Sequence, residues 1–502
     1  MENNPNEHSL PTPGRRAWPE PVFVAFTLIV SYLFCEFILF GGLGASVALF
    51  IAVFYAVALC YLARGGLRLS FGFVVTFSTV AFLCLCFLLY NNLELRFLNV
   101  LGLLIFIPLS LLYASGMNEY PFFSIGTIWD HMKTFLLFPF ANIGKSAAVL
   151  AENGHGSKKV AGVLKILLGI LIISPVALII VLLLMRSDAA FDEIMTNSFR
   201  YITGRWLTYF FKILIAVVLT FPLFSLLYSL LHKQFDVRIS KYGIGRRVRA
   251  VDTMFVNSAL WVICMIYVLY ISTQIGYFFS AFRNMLPDGY TSMAAYARRG
   301  FFELVAVVAI NLCLIVFAML FSKRSGDDMQ HASKVTIFAL SLLTVMLIIT
   351  AISKMVMYIQ NYGLTPLRVY TSWFMLALLV VFVLLIVRMF VPRFRFLRSS
   401  AVAVILLYLM LNFANTDALI PQYNIAKYRQ DIRTNSSATL DVDMFDQLSD
   451  SMVPQAAALR NDAAYGKEVN KMLETRSARL KSQDWQNYTV AGALAERVID
   501  GK

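Results

Sequence analysis

Eleven apolar runs, most of them long enough to cross a lipid bilayer, constrain this chain more than any other feature. A helical span needs about 20 mostly apolar residues, because in hydrocarbon every backbone N–H and C=O must be bonded within the segment. The runs cover 22–40, 43–63, 70–90, 95–114, 163–185, 208–231, 253–279, 300–322, 335–359, 370–391 and 399–414. They predict an all-α integral membrane protein with about eleven transmembrane helices. Composition points the same way, with 59% of residues hydrophobic and only 14% charged, against roughly 25% charged in soluble proteins. A chain so poor in charge must hide most of its surface from water, which excludes a soluble globular protein.

The formal net charge of +14 is not a nucleic-acid signal, because the basic residues sit in alternate short loops, as orientation signals do. One set of loops holds Arg15, Arg16, Arg64, Arg68, Lys133, Lys145, Lys158, Lys159, Lys323, Arg324 and Lys334. The same set holds the clusters Lys233–Arg249 and Arg393–Arg398, and the opposite set carries less than half as many. The positive-inside rule then places the N-terminus in the cytoplasm and, with an odd number of spans, the C-terminal tail outside. The chain divides into a disordered, proline-rich cytoplasmic tail (1–21), a polytopic membrane domain (22–414) and a small helical extracytoplasmic tail (415–502). No small-residue cleavage site follows the first apolar run, so it reads as a retained span. Residues 127–150 read as an amphipathic helix on the cytoplasmic face, with Trp129, Met132 and Phe135 toward lipid. In the tail, residues 440–454 space their apolar side chains as a helix does and stop at Pro454.

Chemical motifs are sparse. The stretch PFANIGKS at 139–146 resembles the end of a phosphate-binding loop, but Pro139 replaces the first glycine and no strand precedes it. The five histidines are scattered without ligand spacing, so neither a metal nor a cofactor is expected. All six cysteines lie within apolar runs and read as packing residues. The informative residues are ionisable groups within spans, which usually face the bundle or water and often mark function. These are Glu36, Glu303 and Lys354, with Gln274 and Asn311 as neutral companions. Helical spacing groups Tyr267, Tyr270, Gln274 and Tyr277 on one stripe, Lys354, Tyr358 and Asn361 on another, and Tyr296, Arg299 and Glu303 on a third. An interfacial tyrosine belt with a structural ion pair between Glu303 and Lys354 or an arginine explains them better than a ligand-binding or conducting cavity does.

Five stretches, LLLMRSDAAFDE at 182–193, YARRGFFEL at 296–304, YGLTPLRVYTSW at 362–373, NTDALIPQYNIAKY at 415–428 and LDVDMFDQLSDSMVP at 440–454, resemble a bacterial membrane protein family known as domain of unknown function 4173. The resemblance implies a bacterial cytoplasmic membrane location and supplies no catalytic residues. It adds weight to Asp188, Tyr296, Arg299, Glu303, Tyr362, Arg368, Asn415 and Asp417, each within a matching stretch, and these join Lys354 as ligand or ion-pair candidates.

Three function classes remain. The leading one is a non-enzymatic envelope sensor or membrane-complex partner with a polar outer surface. The second is a secondary transporter or channel using the polar cluster, and the third an intramembrane enzyme on lipid-linked substrates. Expected partners are the lipid bilayer and other membrane proteins. The sequence does not name a small-molecule ligand.

Overall fold

The computed structural model describes residues 20–145, 149, 180–181, 183–188, 190–194, 205–233, 252–282, 301–321, 331–391, 393–434 and 439–501. Among the described residues every regular element is helical, and nine helices are long and apolar enough to cross a membrane. The chain is a multi-pass α-helical membrane protein. The nine are α1 (Glu20–Phe34, prolonged by a π-helical turn Cys35–Leu39), α2 (Ala45–Leu62), α3 (Phe71–Leu89), α4 (Leu93–Ser115), α7 (Arg205–His232), α8 (Thr253–Phe282), α10 (His331–Tyr362), α11 (Pro366–Phe390) and α12 (Phe396–Phe413). A further helix, α9 (Phe301–Phe321), carries a shorter apolar stretch, Glu303–Met319. The expected span 163–185 lies mostly outside the described residues. Helix ends overrun several apolar runs, α10 by a turn at its start, because backbone hydrogen bonding continues where hydrocarbon gives way to headgroups.

The chain forms two compact units. In the first (residues 1–89, 96–236 and 483–489), α1 packs on α7 and α2, and α2 on α3. Polar side chains tie the spans, as where Tyr55 Oη meets Ser110 Oγ at 2.5 Å. A surface segment follows α4: α5 (Gly126–Met132), a π-helical turn Lys133–Leu137, and α6 (Phe138–Ala141). Its outer face is apolar and exposed at Ile128, Met132, Phe135, Leu136 and Phe140, while Trp129, expected toward lipid, is half-buried. The inner face carries a buried cluster. Lys133 Nζ lies 2.5 Å from Glu119 Oε1 and 3.6 Å from Asp130 Oδ1, and Asp130 accepts the N–H of Tyr120 at 3.1 Å. Residues 483–489 sit on the α1–α2 turn. Tyr488 O accepts the N–H of Ala45 at 3.0 Å, and Trp485 meets Phe37 edge-on at 5.2 Å. Asn487 lies so close to Gly42 and Gly44 that a Cβ at either would collide with it or its neighbours.

In the second unit (residues 90–95, 237–482 and 490–502), α8, α9 and α11 pack around α10, and α12 packs on α11. Val308, Ile315, Leu340, Ile348, Met375 and Phe382 form the centre of that core. A satisfied chain, Tyr267 Oη to Asn311 Oδ1 (2.7 Å) and Asn311 Nδ2 to Thr344 Oγ1 (2.9 Å), links α8, α9 and α10. The C-terminal segment adds α13 (Thr416–Thr434), α14 (Asp443–Asp446), α15 (Val453–Ala456), α16 (Gly466–Lys481) and α17 (Val490–Ile499). Their apolar faces close a second core around Ile420, Phe445, Met452, Val453, Val469 and Ala495, against which Leu364 and Val369 pack. The stretch 440–454 is not one helix ending at Pro454. It breaks into α14, a 3-10 turn Asp450–Met452 and α15. Pro454 sits in the first turn of α15, where a missing N–H costs nothing, so it starts a helix instead of stopping one.

Candidate functional site

Two short turns of the second unit, one before α4 and one between α10 and α11, hold the C-terminal segment through side chains that satisfy buried polar groups. Asn92 caps α4, its Oδ1 accepting the N–H of Leu95 at 2.8 Å. Its Nδ2 then donates to Asp417 Oδ1 (2.7 Å) and to Tyr370 Oη (2.8 Å). Asp417 is 3% exposed, and its other oxygen accepts the N–H of Ser449 at 2.9 Å. Asn91 pairs reciprocally with Asp450. Its Nδ2 donates to Asp450 Oδ2 at 2.5 Å, and its Oδ1 accepts the Asp450 N–H at 3.1 Å.

Asp450 is fully buried, and a carboxylate without water needs charge as well as hydrogen bonds. Arg476 Nη1 supplies both at 3.1 Å, and Arg479 adds a second guanidinium contact. The Arg476 fork also reaches carbonyls of the turn, donating to Phe445 O (3.0 Å), Leu448 O (2.8 Å) and Asp446 O (3.3 Å). Burial pushes the Arg476 guanidinium down and Asp450 pulls it back up.

At the α10–α11 turn, Gly363 adopts φ +75°, the left-handed conformation that closes a helix C-terminus. Asn424 grips the next residue twice, accepting Leu364 N–H at 2.7 Å and donating to Leu364 O at 2.8 Å. A Cβ at Gly363 would lie 2.5 Å from Asn424 Oδ1. Thr365 caps α11 and Pro366 opens it. Arg368 folds back, donating to Tyr362 O (2.9 Å) and Gly363 O (2.5 Å), with its guanidinium 4.1 Å over the Tyr358 ring.

Beside these contacts opens a cleft of about 560 Å³, lined by Glu94, Thr365, Pro366, Leu367, Tyr370, Asp441, Asp443, Met444 and Gln447. Asp441 caps α14 by accepting the N–H of Met444 at 3.2 Å. Partial desolvation and the nearby Asp443 and Asp446 push the Glu468 carboxyl above its ordinary range.

The candidates from sequence divide accordingly. Asp417 is a centre of the contact with Asn92. Asn415 is the turn that permits it, holding φ +48° between α12 and α13. Tyr362 and Arg368 belong to the α10 cap. Lys354 is buried in α10 and Glu303 exposed on α9, with the Glu303 charge acting on Lys354. Asp188 is exposed, and its Oδ1 accepts the N–H of Phe191 at 2.8 Å, which is helix capping. Tyr296 and Arg299 lie outside the described residues, as do the side chains of Gln274 and Tyr277. Glu36 has a partner that the sequence did not disclose, Lys212 of α7 at 2.8 Å, in the first unit. Sequence reasoning also missed Asn91, Asn92, Tyr370, Asn424 and Arg476. The adjacent Asn91–Asn92 pair between two apolar runs was a visible signal that reads as nothing more than a turn. Among the described residues no group of three or more His, Cys, Asp or Glu is placed to hold a metal ion.

A family model described as Domain of unknown function (DUF4153) matches residues 77–459, well over half of the chain. The family expected from the five stretches, number 4173, is therefore not the one that matches. No curated protein and no solved structure matches the chain.

Proposed function

The chain belongs to the family described as Domain of unknown function (DUF4153), and from that premise we propose a non-enzymatic envelope sensor or membrane-complex partner. Its receiving surface is the C-terminal segment and the cleft beside it. The observation that carries the reading is the seat itself. Two buried carboxylates, Asp417 and Asp450, are spent on hydrogen bonds that fix this segment to helix-end turns, and an open cleft is left at the junction. A buried polar network of this kind specifies position more than it adds stability. The reading includes a bacterial cytoplasmic membrane, a cytoplasmic N-terminus, an extracytoplasmic segment 415–502 and other membrane proteins as partners.

Path parity supports eleven crossings. The turn at Asn91–Asn92 and the turn at Leu364 touch the same C-terminal segment and so face one side of the membrane. Between them α4, α7, α8, α9 and α10 make five crossings, and a return to the same side needs an even number. One more crossing between α6 and α7, at the apolar run 163–185, balances the path. Lys and Arg bias then puts that side outside.

Photo-crosslinking in intact cells tests the reading, with a benzophenone residue at Gln447. A discrete membrane-protein adduct, lost when Asn91→Ala loosens the seat, is expected. Adducts confined to lipid or to the chain itself overturn the partner role. For topology, an impermeant maleimide in a background lacking the exposed Cys60 and Cys313 should label Glu474→Cys from outside and Gly66→Cys from inside. Labelling of both from one side removes the eleven-crossing path.

A further inference from the structure

Resting on that reading, we propose that the cleft beside the C-terminal seat binds a cationic amphipathic peptide segment lying at the membrane surface. The cleft is formed entirely within the second unit, and its roughly 560 Å³ falls in the usual range of about 300–1,000 Å³ for binding sites. Its lining has two chemistries side by side. Glu94, Asp441 and Asp443 supply three exposed carboxylates, and among the described residues none is in an ion pair. The nearby guanidiniums of Arg476 and Arg479 are engaged by Asp450 instead. Pro366, Leu367 and Met444 supply the apolar part, and Leu367 is 61% exposed. Leu93, next to Glu94, is 77% exposed.

Position selects the occupant. Glu94 stands in the first turn of α4, and Pro366–Tyr370 in the first turns of α11, so the cleft sits at the ends of two spans, where headgroups meet water. A ligand there meets anionic groups on the water side and aliphatic side chains on the lipid side. That is the complement of a helix with Lys or Arg on one face and Leu on the other. General attraction to the protein does not explain such binding, because the chain as a whole is strongly basic, at +14. The negative potential is local, and Asp446 and Glu468 stand near Asp443 of the cleft.

The test uses the full chain in phosphatidylcholine nanodiscs and a fluorescent 18-residue helix with Lys and Leu on opposite faces, read by anisotropy. Neutralising the cleft with Glu94→Gln, Asp441→Asn and Asp443→Asn keeps side-chain size and the α14 cap. It should weaken binding by about tenfold or more, since three exposed charge pairs each worth a few-fold multiply. Neutralising the exposed tail acids Asp431 and Asp500 should leave binding unchanged. Leu367→Asn should weaken the peptide and leave spermidine, which lacks an apolar face, unaffected. Equal binding to the triple variant and the parent overturns the site. Spermidine competing as strongly as the peptide overturns its amphipathic character. If the Gln447 crosslink still captures a membrane partner while the peptide fails to bind, the receiving role stands and this inference falls.

Discussion

Arg476 offers the sharpest test of how the C-terminal segment is held. Its guanidinium is nine-tenths buried and serves one carboxylate and three carbonyls at once. Arg476→Met keeps the aliphatic stem and deletes the charge and every donor. Breaking a buried ion pair costs about 3–5 kcal/mol, and the Leu448 carbonyl, deprived of its guanidinium donor, adds ~1 kcal/mol or more. Arg479 and Asn91 keep their hold on Asp450, which offsets part of this, so about 4 kcal/mol is the expected net loss. Arg476→Lys keeps the charge near Asp450 but cannot reach the carbonyls with a fork, and should cost roughly 1–2 kcal/mol. Hydrogen exchange of the full chain in nanodiscs, followed in peptides covering 443–452, reads both as lost protection. Pairing Arg476→Met with Asp450→Leu should recover part of the loss, because the unpaired charge is gone. Equal protection in the Met and Lys variants, or none lost in either, refutes the assignment of Arg476 as the clamp.

Other perturbations separate equally clearly. Gly363→Ala forces a Cβ into the left-handed region and against Asn424, and should lower the thermal midpoint by the equivalent of about 1–3 kcal/mol. Asn415→Gly should be nearly neutral in the same melt while Asn415→Val is clearly destabilising, because only the former suits φ +48°. Burial raises the Asp130 carboxyl, against the pull of the Tyr120 N–H and the Lys133 ammonium. A raised acid favours the folded state when protonated, so protection of residues 126–141, corrected for intrinsic exchange, should be greater at acid pH and fall as pH rises through the raised value. Asp130→Asn should abolish that dependence.

How much of this was legible in the sequence depends on the range of the interaction. Apolar runs disclosed the spans because bilayer thickness imposes their length locally. The turn YGLTPLR, met in the sequence only as a stretch of the family resemblance, carries a local signal of the same kind, since left-handed Gly363, capping Thr365 and opening Pro366 are neighbours. The seat was not visible. Asn91 and Asp450 are 359 residues apart in the chain, and no periodicity relates an asparagine in a turn to an aspartate that far away. Asp417 stood out only because it lies in a stretch that carries the family resemblance, just after the last span. Its partner, Asn92, is uncharged and gave no electrostatic hint. Lys212 escaped notice as the partner of Glu36 because it lies near the start of a long apolar run.

The choice of Asn as partner has a consequence for what the seat does. If the segment were held only by its apolar core, Leu364 and Val369 against Ile420 and Phe445, the contact could slide, because aliphatic packing tolerates many registers. Each Asn–Asp contact adds a directional condition that a one-residue shift would violate, leaving a buried carboxylate unsatisfied at a cost of several kcal/mol. The core therefore supplies adhesion and the carboxylates supply register. Glu94 and Asp441 come from opposite sides of this contact, one in α4 and one in the C-terminal segment, so a shift in the seat would separate them. Asn92→Leu tests the division. It fills the space but removes the donor to Asp417, so the segment should stay attached, with limited proteolysis near the wild-type rate. Its spacing relative to α4, read by electron paramagnetic resonance between labels at Leu93 and Gln447, should broaden. A distance distribution as narrow as wild type would show that the apolar core alone sets register.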